Sequence, residues 1–276
     1  MIKLIVSDLD GTMLLHEERK ARQEDLDALK EAAASGLVIA FASGRMHPEI
    51  QAVMELFGLR THSISQNGAY VHTSDGRLVQ SSAFDTALVR ELAEAAAGTS
   101  LLTVLAAPES YVVKEWSEAA EALKPRLMAP LVAMPELHEK LGRELVCGKL
   151  SYMGELAELK ELQGRLLARY GDMIDAYISD VDCLDVMPRT TSKGTGLQAL
   201  LAELGLKPEE AVCFGDSFND LPMFAATPHS FAMGSAHPDV QAKAVRTVPF
   251  VADALQWVKT YNASAAGHPV PAAPQD

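Results

Sequence analysis

Ile2 to Val6 is a short apolar run, broken only by Lys3, that stops at Ser7-Asp8-Leu9-Asp10-Gly11-Thr12. No other feature of the chain narrows the fold as much. Aliphatic and β-branched residues ahead of a glycine-bearing turn read as a short buried strand, so Asp8 and Asp10 fall where that strand ends. In an open α/β sheet this place is the carboxyl edge, where ligands bind. Two carboxylates so close together repel, and a dry site keeps both ionised only beside a cation. Mg2+ suits such a pair, because it takes one or two carboxylates together with waters and a substrate phosphate. Taken alone, the stretch also reads as a polar turn capping a strand; the rest of the chain has to decide.

The pattern recurs. A polar, helix-prone segment from Glu17 to Ser35 carries Leu26 and Leu29 at helical spacing, with Gly36 as its C-cap. Leu37 to Ala42 is a second buried strand, ending in Ser43-Gly44-Arg45. Strand, helix and strand joined this tightly form the right-handed crossover of a parallel sheet, which brings Ser43 to the same edge as Asp8. A helix follows from Pro48 to Phe57, then Gln66-Asn67-Gly68, then a hairpin of Ala69–His72 and Arg77–Ser81. Later in the chain, Thr191-Ser192-Lys193-Gly194 opens a helix to about Leu204. Ala211 to Phe214 is another buried strand, and it ends in Gly215-Asp216-Ser217-Phe218-Asn219-Asp220. A terminal helix is expected over Ala252 to Tyr261.

Between these parts the character changes. Residues 84–182 read as helices alternating with strands, several with the apolar–polar alternation of an antiparallel sheet with one wet face. Pro125, Pro130 and Pro135 make the middle of this stretch hard to read. The expected organisation is a discontinuous core, 1–83 and 183–262, an inserted α+β unit at 84–182, and an Ala/Pro-rich tail, 263–276, expected to be disordered. The links at Ser81 to Phe84 and Asp182 to Met187 are the expected hinges of the insert.

A net charge of −13 opposes binding to nucleic acid or to an anionic membrane, and an anionic substrate would need local positive charge. There is no apolar run long enough to span a bilayer and no signal-peptide pattern at the start, so the expected location is cytoplasmic. Cys147, Cys183 and Cys213 are odd in number and lack C-x-x-C spacing, which points to reduced, buried thiols.

Four strand or helix ends therefore carry complementary groups. Asp216 joins Asp8 and Asp10 as a third carboxylate for a hard-oxygen metal shell. Lys193, Ser43 and Asn219 are the donors a phosphate needs, and a metal ion with Lys193 would answer the charge problem. A carboxylate held beside phosphate, metal and ammonium can act as a nucleophile, with its neighbour as general acid and base.

The set Asp-Leu-Asp-Gly-Thr, Ser-Gly-Arg, Lys193 and Gly-Asp-x-x-Asn-Asp resembles the four ordered motifs of the haloacid dehalogenase-like phosphatases. Asn67-Gly68-Ala69 and the Gly215 to Met223 pattern are most similar to the Cof-type hydrolases of that superfamily. The resemblance runs to about Tyr261. It implies a doubly wound, Rossmann-like parallel-sheet core with an inserted α+β cap of type IIB, placed between Ser43 and Lys193. It also implies Asp8 as nucleophile and Asp10 as general acid/base. Mg2+ would be held by Asp8, the backbone carbonyl of Asp10, and Asp216. Phosphate contacts carry over to the Leu9 backbone, Ser43, the Gly44 backbone, Lys193 and Asn219, with Asp220 orienting Lys193 or a metal-bound water. Ser43 stands where many members of that family have Thr, and both supply the hydroxyl. Arg45 and Asn67 are candidates for substrate contact or for a hinge pairing. The expected reaction is hydrolysis of a small phosphorylated metabolite, such as a sugar phosphate, by a monomer or homodimer. A phosphomannomutase-like phosphotransferase, or a phosphate-sensing protein that has lost the chemistry, would carry the same residues.

Overall fold

The architecture follows from which strand faces are apolar. The computed structural model describes residues 1–15 and 20–265. In chain order the elements are β1 (Leu4–Ser7), α1 (Gln23–Ala34), β2 (Val38–Ala42), α2 (His47–Phe57), β3 (His62–Ser65), β4 (Tyr70–His72) and β5 (Leu78–Ser81). Then come α3 (Thr86–Ala93), β6 (Leu102–Ala106), β7 (Tyr111–Val113), α4 (Glu118–Leu123), β8 (Leu131–Ala133), α5 (Leu137–Lys140), β9 (Lys149–Met153), α6 (Leu156–Tyr170), β10 (Ile174–Asp180) and β11 (Cys183–Pro188). The chain closes with α7 (Lys193–Leu204), β12 (Ala211–Gly215), α8 (Leu221–Ala225), β13 (Ser230–Met233), α9 (Pro238–Gln241), β14 (Arg246–Val248) and α10 (Val251–Ala265).

Eight strands form the first sheet in the order β14-β13-β12-β1-β2-β3-β4-β5, parallel from β14 to β3 and antiparallel through the hairpin β4–β5. Its central strands β1, β2 and β12 are apolar on both faces, as in a sheet covered by helices on both sides. Ile5, Ile39, Phe41, Val212 and Phe214 pack with α1, α2 and α10 on one side. Their neighbours Leu4, Val6, Ala40, Ala42 and Cys213 pack with α7, α8 and α9 on the other. This is the doubly wound core that the crossover pattern predicts.

The second sheet runs β10-β11-β9-β6-β7-β8, antiparallel except for the β7–β8 pair. One face is apolar: Leu105, Val112, Leu150, Tyr152, Leu184 and Val186 pack under α3 and α6. The other face looks toward the carboxyl edge of the first sheet. The expected wet face is therefore not open to solvent: Lys149, Ser151 and Asp185 on it are all buried.

Four expectations need correction. The strand starting at Cys183 does not return to the core; β11 pairs with β9 and β10, so the insert continues to Pro188. The exit link accordingly moves from Asp182–Met187, which lies largely inside β11, to residues 189–192. The expected tail at 263–276 overlaps α10, which continues through Ala265; the rest of that stretch, 266–276, lies outside the described residues. Cys183, expected to be buried, is half-buried, whereas Cys147 and Cys213 are buried and all three are free thiols. The proline-rich stretch contains β8 and α5. Among the described residues no helix is long and apolar enough to cross a membrane.

Candidate active site

The parallel register sets the strand ends level. Leu4 of β1 lies opposite Ala211 and Val38, and Ser7 lies opposite Phe214 and Phe41. Asp8 therefore leaves the sheet one step beyond its neighbours' last ladder pairs, with its N–H donating to the Phe214 carbonyl at 2.9 Å. Ser43 leaves β2 at the same edge, its N–H donating to the Ile64 carbonyl at 2.9 Å. Gly11, at φ +91°, allows the chain to reverse immediately, and the Leu14 N–H donates back to the Leu9 carbonyl at 2.7 Å.

Lys193 sits at the first turn of α7, one residue after the Ser192 cap, and its side chain is 1% exposed. Its Nζ donates to Asp8 Oδ1 and to Asp220 Oδ1, both at 2.6 Å. Burial works against that ammonium, but Asp220 and Asp8 more than offset it and hold its pKa above the usual lysine value. Burial pushes the Asp8 carboxyl well up; Lys193 opposes the rise, and Asp220, Asp216 and Asp10 add to it. Asp220 is anchored from behind, where its Oδ2 accepts the N–H groups of Asp216 and Ser217 at 2.9 and 3.0 Å. Thr12 ties the first motif to the last through its hydroxyl, which donates to Asp216 Oδ1 at 2.9 Å.

Asp8, Asp216 and Asp220 each present a carboxylate oxygen within 4.8 Å of the others. Three hard oxygens at this spacing fit a divalent cation of the Mg2+ or Ca2+ kind. Asp10 lies outside this group. Its carboxylate is taken by Arg45, whose Nε donates to Oδ2 at 2.8 Å and whose NH2 nitrogen donates to Oδ1 at 2.6 Å. That bidentate bond raises the guanidinium's pKa further.

The remaining expected residues converge on the same edge. Ser43 is buried, and its Oγ accepts the Arg45 N–H at 3.2 Å. Asn219 Nδ2 donates to Asn67 Oδ1 at 3.1 Å, and Asn67 N–H donates to the Ser43 carbonyl at 2.9 Å. A Cβ on Gly44 would lie 3.3 Å from Asn67 Oδ1, a tight contact that the Asn67 amide relieves by shifting a few tenths of an ångström. Gly68 is needed: it has φ +102°, and a Cβ on it would lie 2.0 Å from the Ser192 carbonyl oxygen. The Asn67 turn and the start of α7 touch backbone to backbone there. Gly68→Ala is thus expected to cost about 1–3 kcal/mol in denaturant unfolding and to lower turnover, because it levers Lys193 away from Asp8.

A cavity of about 380 Å³ opens from this edge and continues under the second sheet. Its far wall holds residues that motif reading did not find. Lys149 Nζ donates to the Gly44 carbonyl at 3.1 Å and to Asp185 Oδ2 at 3.3 Å. Ser151 Oγ donates to Asp185 Oδ1 at 2.6 Å. Glu49 of α2 joins the two units: it accepts the Met46 N–H, the Tyr111 hydroxyl and the Met128 N–H at 2.8 to 2.9 Å. The signal for the wall was the alternation Lys149-x-Ser151-x-Met153 between Leu150 and Tyr152, repeated as Cys183-x-Asp185 in β11.

Similarity to known proteins places the chain in a family. The haloacid dehalogenase-like hydrolase family matches residues 5–254. An HMP-PP phosphatase from Serratia proteamaculans is 30% identical over 247 residues, 88% of this chain and 87% of that protein. In fold, the chain is similar to a haloacid dehalogenase-like hydrolase from Bacteroides thetaiotaomicron, with TM-score 0.81 at 21% identity over 94% of this chain and 100% of that one. It is also similar to a subclass IIB sugar phosphatase, with TM-score 0.77 at 22% identity over 94% and 99%. The chain belongs to the haloacid dehalogenase-like hydrolases, in their Cof-type branch, and is an enzyme of the phosphatase class.

Proposed function

We propose that the chain is a Mg2+-dependent phosphomonoesterase that hydrolyses a small phosphorylated metabolite through a phosphoryl group carried on Asp8. The observation that carries this reading is the placement of Asp8. It is a buried carboxylate at a parallel-strand end, fixed at one oxygen by Lys193 and facing a cavity of metabolite size. The substrate phosphate would be held by Ser43, the backbone of Leu9 and Gly44, Lys193 and Asn219. An oxygen of Asp8 attacks phosphorus and the bond to the leaving oxygen breaks, with Asp10 supplying the proton to that oxygen. Asp10 then takes a proton from water, which attacks phosphorus and releases inorganic phosphate and the Asp8 carboxylate. Both Asp10 oxygens accept from Arg45; a bound phosphate would compete for that guanidinium and free the Asp10 carboxyl to carry the proton.

Asp8 and Asp216, with the Asp10 carbonyl, would hold Mg2+, and Asp220 would orient Lys193. The ion, when bound, neutralises charge on the phosphoryl group during transfer. The inserted unit, 84–188, would act as a cap that excludes water and contacts the leaving group. The relatives' name makes HMP-PP the first compound to test, and the subclass IIB likeness makes sugar phosphates the second.

The test is phosphate release from p-nitrophenyl phosphate and a panel of phosphorylated metabolites, with Mg2+ and with excess EDTA. Turnover is expected with Mg2+, and a loss of at least about 100-fold on chelation. Undiminished release in EDTA would sink the metal assignment. An isomeric phosphate formed in place of free phosphate would make the enzyme a phosphotransferase instead.

A further inference from the structure

The cavity's far wall poses a question the reaction chemistry does not answer. The second sheet obeys a period of two, and the face turned to the core carries Val104 and Tyr111 next to Lys149, Ser151 and Asp185. Ser151 and Asp185 are direct register partners on β9 and β11. Asp185 is 5% exposed and Lys149 is 7% exposed. Lys149 Nζ and Asp185 Oδ2 lie 3.3 Å apart, an ion pair inside the protein. A buried pair of this kind adds little stability over apolar residues of the same volume. Apolar side chains at neighbouring positions of the face show that the sheet packs without charge.

We infer that Asp185 is the residue that selects the leaving group, and that it selects for leaving groups carrying N–H or O–H donors. This rests on the phosphatase reading above and adds to it the substrate's chemical character. An ionised carboxylate has about four acceptor sites. Ser151 fills one on Oδ1, with the Cys183 thiol at a longer 3.6 Å, and Lys149 fills one on Oδ2. Acceptor capacity therefore remains on a group that lines the cavity. Lys149 does not merely neutralise it. By bonding the Gly44 carbonyl as well, Lys149 ties the carboxylate to the loop that would bind phosphate. The spacing between the phosphoryl site and the acceptor is then fixed by a single side chain. A site built to accept a substrate N–H or O–H discriminates strongly against analogues without one, since the buried acceptor is left unpaired.

Asp185→Asn tests this, because the amide keeps the shape but removes the charge and has half the acceptor sites. Kinetics are compared between p-nitrophenyl phosphate, whose leaving group has no N–H or O–H donor, and phosphate esters of amino- and hydroxyl-bearing alcohols. The ratio of kcat/KM for the donor-bearing esters to that for p-nitrophenyl phosphate should fall about 10- to 100-fold in the variant. Most of the change should appear in KM. Equal losses on both ester classes would overturn the inference, since a merely structural role would act on both alike. If the variant does not fold, the wild-type chain carries the same test: the best ester is compared with its N- or O-methylated analogue. A comparable loss is expected, and equal turnover of the two overturns the assignment. A wild-type chain that releases phosphate from no ester overturns the phosphatase reading, and this inference with it.

Discussion

Asp8→Asn is expected to release no measurable phosphate and to unfold at the same temperature as the parent chain or above it. The loss follows from the proposed chemistry. An amide is no nucleophile toward phosphorus, and removal of a covalent catalyst typically costs at least about 10³-fold in turnover. The unchanged stability follows from the electrostatics. Burial, with Asp220, Asp216 and Asp10 adding to it, raises the Asp8 carboxyl against the pull of Lys193. A carboxyl whose pKa is higher in the folded chain than in the unfolded one favours folding while protonated. That contribution is present below the unfolded value and is lost as pH rises through the folded one. Above that folded value the ionised Asp8 is therefore no support for the fold. Asparagine removes the charge, keeps an oxygen to accept from Lys193, and leaves Lys193 its bond to Asp220. Phosphate release and a thermal melt on the same sample check both halves. Turnover within tenfold of the parent would sink the nucleophile assignment. A fall of about 8 °C or more, equivalent to 2–4 kcal/mol for a chain of this size, would show that the Asp8 charge holds the structure together.

Much of this site was legible in the sequence for one reason: its residues sit at the ends of short apolar runs. Ile2 to Val6, Leu37 to Ala42 and Ala211 to Phe214 are buried on both faces, so composition alone marks them as strands, and the polar residue after each must lie on the edge. Lys193 was legible because it follows a Ser cap at a helix start. The second sheet was harder. Strands β9, β10 and β11 carry polar residues on one face, and polarity in a strand ordinarily means solvent. Here the polar face meets the core instead, and only tertiary packing says so. Cys183 to Pro188 was misplaced for the same reason, since nothing within β11 says which sheet it joins. The Asp10–Arg45 pair and the role of Glu49 likewise depend on side chains meeting across loops. Between Pro125 and Leu141 short elements set by prolines carry too little periodicity to read.

Lys193→Met should unfold the chain most readily of the site substitutions, and its pH dependence identifies the cause. The ammonium, 1% exposed, is bonded at 2.6 Å to two carboxylates that are themselves 6% and 0% exposed. Without it, Asp8 and Asp220 lose the one cation that bridges them. Breaking a buried pair from one side costs about 3–5 kcal/mol, because the partner charge stays buried and uncompensated. For a chain of this length that is a fall of about 6–20 °C in Tm. The sign with pH can be worked out. Lys193 lowers the Asp8 pKa, so its loss moves that carboxyl further up. The variant is then relieved by protonation, and its stability deficit shrinks as pH falls toward the unfolded carboxylate value. Melts at pH 8 and pH 5 should therefore show a large gap to the parent at the first and a smaller gap at the second. Adding Asp220→Asn to Lys193→Met removes one of the stranded charges and should recover part of the lost Tm at pH 8, without restoring turnover. A gap that widens on acidification, or a double variant less stable than the single one, would mean that Lys193 supports the fold by packing of its stem, and that the charge it places between the two carboxylates is incidental.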